Sequence, residues 1–109
     1  HANAPTAADT DWPAIAAVYT QLAAVTGSPV VALNRAVAVA MADGPAAGLR
    51  LLDDIEGLDD YHLLHSTRAA LLEKLGRTDE ALASYERALE LVTNSAEAAH
   101  LRARRDALV

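Results

Sequence analysis

The sequence predicts an all-α domain: a right-handed array of antiparallel helix pairs with about six helices. Alanine, the best helix former, is abundant, and β-branched and aromatic residues do not cluster into alternating runs. The chain also repeats itself, because a shift of 33 residues places "NRA" at 34–36 on "TRA" at 67–69. Helical composition together with an internal repeat favours stacked helix pairs over a single bundle.

Composition limits the class of function. The chain has 109 residues, enough for one domain or a piece of a longer protein, and its 9 basic against 15 acidic residues give a net charge of −6. A basic footprint for nucleic acid is therefore missing. The absence of cysteine excludes disulfides and thiolate zinc ligands. No apolar run is long enough to span a membrane and no signal peptide is visible, so we expect a cytoplasmic protein.

Start and stop signals divide the chain into six helical segments. These segments cover 10–27, 28–44, 43–58, 59–76, about 78–92 and 94–108. The predicted N-caps are Thr10 or Asp11, Ser28, Asp59 or Asp60, Thr78, and Asn94 or Ser95. The predicted stops are Gly27, Gly57 and Gly76. The loops between these segments are short, which forces neighbouring helices to pack antiparallel.

The repeat period is close to the 34 residues of a tetratricopeptide repeat. The predicted units are about 29–58 and about 62–95, with flanking helices at 11–26 and 95–108. Each unit has a small residue within its first helix, another at the start of its second, and a bulky one a turn later. These are Ala36, Gly48 and Leu52 in the first unit, and Ala69, Ala81 and Tyr85 in the second.

The second unit resembles the tetratricopeptide pattern well and the first only weakly. The second unit departs from the pattern at Thr93, where proline is usual, and at Arg68, where an apolar residue is usual. We expect residues 1–10 to be the end of a preceding region and residues 11–109 to form the helical domain. The opening "HANAPTAAD" lacks an initiator methionine and indicates a piece of a longer protein.

Several motifs taken in order resemble one particular family. They are "TDWPAIAAVY", "SPVVALNRAVAVA", "GPAAGL", "YHLLHSTRAALLEKLGRTDEALASYERALEL" and "AEAAHLRARRDAL". Together they look like the C-terminal tetratricopeptide-like extension of extracytoplasmic-function sigma factors. The resemblance implies a parent protein that directs bacterial RNA polymerase to promoters. It also implies that this piece modulates transcription initiation through contacts with core sigma domains or polymerase, without binding DNA itself.

Two other classes of function stay open. One is a free-standing tetratricopeptide scaffold that binds an unrelated peptide or protein in its groove. The other is an enzyme or metal-binding fragment, but no Ser–His–Asp spacing, phosphate-binding glycine loop or paired catalytic carboxylates stand out. We therefore predict no enzyme activity and no cofactor.

Candidate protein-contact residues lie on the first helices of the pairs, which line the concave groove in tetratricopeptide arrays. They are Asn34, Arg35, Thr67, Arg68, Tyr61, His62 and His65. Both arginines have an alternative role, in which they are partly buried and paired with acids that fix helix packing. The acids considered for this role are Asp11, Asp54 and Glu73.

Other polar clusters are assigned no ligand. His62 with His65, and Glu97 with His100, have the three-residue spacing of helix neighbours, but a metal needs three or four converging ligands, so we predict no metal site. The acidic residues between 53 and 60 are expected to form a solvated turn.

Overall fold

The computed structural model describes residues 10–109, which form six α-helices and contain no β-strand. The helices are α1 Trp12–Thr26, α2 Pro29–Asp43, α3 Pro45–Asp53, α4 His62–Lys74, α5 Thr78–Leu91 and α6 Ser95–Asp106. The predicted all-α fold with a tetratricopeptide-like helical repeat is confirmed. Most of the predicted preceding region, residues 1–9, lies outside the described residues.

Three helices begin at predicted side-chain caps, which satisfy backbone N–H groups that have no partner within the helix. Asp11 Oδ1 accepts from the Ala14 N–H at 3.1 Å and begins α1. Ser28 Oγ accepts a longer bond of 3.4 Å at the start of α2. Asn94 Oδ1 accepts from the backbone of α6 at 2.8 and 3.0 Å. Capping chemistry thus fixes the start of both flanking helices and of α2.

The boundaries around α3, α4 and α5 differ from prediction. Helix α3 ends at Asp53 rather than at Gly57, because the chain turns tightly where the Asp54 N–H donates to the Leu51 carbonyl at 3.2 Å. Helix α4 is preceded by Tyr61, not by Asp59 or Asp60, since Tyr61 packs against the core and its N–H closes a turn to the Leu58 carbonyl.

The start of α5 also lies one residue earlier than predicted. Arg77 occupies the N-cap position and Thr78 is the first helical residue, with no side-chain cap. Arg77 donates from Nε and Nη2 to Glu80 in the first turn, at 2.5 and 2.8 Å. An exposed ion pair therefore stands where a capping hydroxyl was expected.

Each helix packs mainly against its neighbours in the sequence. We call α2 with α3 the first hairpin and α4 with α5 the second hairpin. The contacts within these hairpins, and between α1 and α2, are the most extensive, while α2 also touches α4. The first helices of successive hairpins therefore lie side by side, and α6 continues the array after α5.

Small residues occupy the closest approaches within the hairpins. Ala36, Ala69, Ala81 and Ala88 are completely buried. At Gly48, an added Cβ would lie 2.5 Å from Ala40 Cβ and 2.8 Å from the Ala36 carbonyl oxygen. Both distances are too short for real atoms, so only glycine fits there. The predicted small residues are thus buried in both hairpins, and at Gly48 the neighbouring helix leaves no room for a Cβ atom.

Candidate functional site

A concave groove of about 430 Å³ runs across the side of the array formed by first helices. Its walls come from α2, α4 and α6, and Tyr85 of α5 also lines it. The lining residues are Val37, Ala40, Met41, His62, Leu63, Ser66, Thr67, Ala70, Leu71, Lys74, Tyr85, Glu97, His100, Leu101 and Arg104.

Much of the groove lining is apolar and partly open to solvent. Leu71 and Leu101 are buried beneath it. Val37, Met41 and Leu63 keep 37%, 42% and 39% of their surface exposed. Apolar side chains in a concave site become favourable anchors when a partner removes them from water, at about 25 cal/mol per Å².

One end of the groove carries a histidine–carboxylate contact between two helices. His62 Nε2 of α4 lies 2.9 Å from Glu97 Oε2 of α6, although the atoms lack the alignment of a hydrogen bond. The Tyr61 ring meets the His62 ring edge to face, with 5.6 Å between the ring centroids. This arrangement holds the His62 ring in place beside an accessible carboxylate.

The other end of the groove carries a polar network that joins three helices. Tyr85 Oη donates to Glu73 Oε1 at 2.8 Å, and Arg104 Nη2 donates to the same carboxylate at 3.2 and 3.4 Å. Lys74 stands next to this network on the last turn of α4. The network ties the second hairpin to α6, which forms one wall of the groove.

The network shifts the protonation of its members. The hydrogen bond from Tyr85 lowers the pKa of Glu73, against an opposing effect of burial and with further lowering by Arg104. Burial, together with the hydrogen bond to Glu73, raises the pKa of Tyr85. Glu73 is therefore ionised and Tyr85 neutral over the whole physiological range.

The candidate contact residues on α4 are divided between two sides of the helix. His62 and Thr67 line the groove. His65 and Arg68 lie instead in a cleft between α3, α4 and α5. There His65 Nε2 is 2.7 Å from the Asp59 carbonyl oxygen, and Arg68 pairs with Asp53.

The remaining candidates lie outside the groove lining. Arg35 donates from Nε to Thr20 Oγ1 at 3.0 Å and joins α2 to α1. Asn34 is exposed three residues before Val37, on the same face of α2, but does not line the groove. Tyr61 packs against the core rather than into the groove.

Arg68 pairs with an acid other than those named as examples for the packing role of the arginines. Arg68 does pair with a carboxylate, but with that of Asp53 instead of Asp11, Asp54 or Glu73. Glu73 is occupied by Tyr85 and Arg104. Sequence spacing identified the need for a partner but not which acid the tertiary packing brings within reach.

The acidic turn is anchored as well as solvated. Besides the Asp53–Arg68 pair, Asp60 Oδ1 lies 3.3 Å from Arg87 Nη2 of α5. These exposed pairs contribute modestly, about 0–1 kcal/mol each. They nevertheless place Asp53 and Asp60 on the side of α4 that carries His65 and Arg68, outside the groove lining.

Sequence reasoning missed Met41, Leu63, Lys74 and Arg104 as groove residues. On α4, His62, Ser66, Ala70 and Lys74 recur every four residues, which is the spacing of one helix face. That signal identifies the face once it is known that the first helices line the groove.

Over residues 10–109, no cluster of three or more His, Asp or Glu side chains is arranged to hold a metal ion. None of the helices in this part of the chain combines the length and the apolarity needed to cross a bilayer.

Comparison with known proteins supports the repeat. Residues 62–95 match the tetratricopeptide repeat family, a range that contains the second hairpin. An uncharacterized protein of Rhizobium meliloti (strain 1021) is 43% identical over 109 residues, covering 99% of this chain. The chain spans 26% of that relative's length. No solved structure matches. Tetratricopeptide repeats are typically non-catalytic protein-interaction modules, so the match suggests a protein-interaction domain.

Proposed function

We propose that the chain is the C-terminal regulatory domain of a cytoplasmic bacterial RNA polymerase sigma factor. In this proposal the domain binds core sigma domains or polymerase through its groove and so modulates transcription initiation. The proposal rests most heavily on one observation, the half-exposed apolar groove between α2, α4 and α6. It is supported by the ordered motifs that resemble sigma-factor extensions and by the net charge of −6, which disfavours direct DNA binding.

The mechanism requires only differential binding. If the groove binds a sigma or polymerase surface better in one arrangement of the longer protein than in another, the populations shift toward that arrangement. A coupling of about 1–3 kcal/mol changes the population ratio by about 5- to 150-fold.

A binding experiment tests the partner. The purified chain is titrated against purified core sigma domains and core RNA polymerase, and Kd is measured. Leu63→Asp should weaken binding more than tenfold, because it places a charge against a desolvated partner surface. Leu22→Asp is the matched control, since Leu22 is about equally exposed, at 41%, but lies on α1 outside the groove.

Transcription by the longer factor tests the regulatory role. Deletion of these residues should change promoter-directed transcription. Equal output from the intact and the shortened factor under all conditions would contradict the proposal.

The matched repeat itself carries no link to transcription, so we also consider a second function. In this alternative the chain is a free-standing scaffold for an unrelated peptide. Groove-dependent binding of such a peptide, with no binding to sigma domains or polymerase, would favour this alternative.

A further inference from the structure

The groove carries opposite charges at its two ends. His62 and Lys74 lie at the two ends of α4, about 18 Å apart at 1.5 Å per residue. Glu97 stands beside His62, whereas Lys74 and Arg104 are found at the other end. The exposed apolar side chains of Val37, Met41 and Leu63 also line the groove.

Two of these charges are available to a partner. Arg104 is neutralised by Glu73 at 3.2 Å. Lys74 is exposed and has no ion-pair partner among residues 10–109. Glu97 has a half-exposed side chain, and its contact with His62 does not use hydrogen-bond geometry. A free ammonium and an accessible carboxylate therefore remain, one at each end.

We propose that the groove binds an apolar protein segment in one direction, with a basic residue facing Glu97 and an acidic residue facing Lys74. This inference rests on the proposed function of the groove as a protein-binding site and adds the chemistry and direction of the occupant. Reversing the segment places like charges at both ends, which disfavours the reversed complex.

The same charges reject segments of uniform sign. A wholly basic segment, which the net charge of −6 attracts at long range, brings a cation against Lys74. A wholly acidic segment brings an anion against Glu97. The acidic residues between 53 and 60 do not alter this preference, because none of them lines the groove.

Selection from a display library of random 12-residue peptides tests the inference. The bait is the complete chain, and the Leu63→Asp variant removes peptides that bind elsewhere. We expect the selected peptides to share an apolar centre, Lys or Arg toward one end and Asp or Glu toward the other, in a single order. Groove-dependent peptides with no charge order, or with one sign of charge throughout, would overturn the inference.

Charge exchange in the protein provides the second test, with the best selected peptide as the probe. The double variant Lys74→Glu and Glu97→Lys should weaken its binding about tenfold and favour the peptide with its terminal charges exchanged. The double variant Arg102→Glu and Glu86→Lys makes the same charge changes at exposed positions outside the groove and should change Kd less than twofold. Equal effects of the two double variants would contradict the inference.

A milder substitution covers the case in which the charge exchange destabilises the fold. Lys74→Met keeps the length of the side chain and removes the charge, so the preference for an acidic residue at that end should disappear while the apolar preference stays. If the charge tests fail while Leu63→Asp still abolishes polymerase or sigma binding, only this inference is contradicted. Failure of the chain to bind those partners would sink the proposed function instead.

Discussion

The two hairpins apply the same packing rule with different residues. The first hairpin needs glycine at 48, where even a methyl group would meet Ala40 and the Ala36 carbonyl. The second hairpin has alanine at the equivalent position 81 and buries it completely. One turn later, Leu52 in the first hairpin corresponds to Tyr85 in the second. The first hairpin is thus joined only by apolar contact at this position, whereas the second adds a hydroxyl that reaches Glu73.

This difference affects the groove. Through Glu73, Tyr85 is connected to Arg104 of α6, so the second hairpin fixes the groove wall that follows it. Leu52 has no polar atom and can form no such link. A polar side chain at this position of the hairpin helps to hold the next helix in the geometry that binding requires. This holds provided that every polar group of the network has a hydrogen-bond partner.

The largest expected effect comes from removing the bulky residue of the second hairpin. Tyr85→Ala should lower the free energy of unfolding by about 4 kcal/mol, because it creates a cavity and removes one of the two side chains that donate to Glu73. Leu52→Ala in the first hairpin should cost about 3 kcal/mol. Urea denaturation measures both. A smaller loss of stability for Tyr85→Ala than for Leu52→Ala would contradict the larger contribution inferred for Tyr85.

Exchange of the small residues tests how closely each hairpin packs. Gly48→Ala should destabilise the protein by about 2 kcal/mol because the new methyl group meets backbone as well as side chain. Ala81→Gly should cost about 1 kcal/mol, from lost helix propensity and a small void. Helix propensity alone predicts the opposite sign for Gly48→Ala. Stabilisation of that variant in thermal and urea unfolding would therefore refute the close approach.

The polar network of the second hairpin should be visible in the pH dependence of stability. Because the folded-state pKa of Glu73 is lowered, its contribution is present above the ordinary value of 4.5 and lost as the pH falls below it. The raised pKa of Tyr85 makes its contribution full below the ordinary value of 10.0 and lost as the pH rises above it.

Two conservative variants separate these contributions. Glu73→Gln should cost about 1 kcal/mol at neutral pH and flatten the acid side of the stability profile, whereas Tyr85→Phe should cost a similar amount and flatten the alkaline side. Unfolding free energies measured from pH 3 to 11 check both. An unchanged acid side in Glu73→Gln would show that other carboxylates dominate.

The smallest effect is expected at the ion pair that joins the hairpins. Arg68→Leu restores the apolar residue usual in the repeat and removes the pair with Asp53, and it should change stability by less than about 0.5 kcal/mol. Arg50→Leu, at an exposed arginine of α3, is the control for removing a charge. A loss of several kcal/mol in Arg68→Leu alone would show that the pair is a structural link between the hairpins.

Local signals carried most of the fold prediction. Caps such as Asp11, Ser28 and Asn94 depend on residues three positions apart, so they can be read directly from the sequence. The need for a small residue at position 48 could be predicted because the repeat aligns Gly48 with Ala81. The end of α3 and the start of α4 were not predicted, because the tight turn at Asp54 and the packing of Tyr61 set these boundaries instead of the nearby glycine and aspartates.

The site was harder to predict than the fold. Thr67 and Arg68 were grouped together, yet adjacent helix residues point about 100° apart, and only Thr67 lines the groove. Met41 and Leu63 could not be identified as groove residues, because periodicity marks every apolar face in the same way. It cannot distinguish a face that packs on a neighbour from one that lines an open groove. That distinction depends on which helices meet, which is a property of the whole array.

Most contacts join helices that follow one another along the chain, which limits the cooperativity of unfolding. Few contacts join distant parts of the chain, so α1 or α6 can open while the hairpins stay folded. Hydrogen exchange should then show protection that is graded along the chain, highest in the second hairpin and lowest at the two flanking helices. A single melting temperature would average over these steps, and a partner bound between α4 and α6 would slow exchange most strongly in α6.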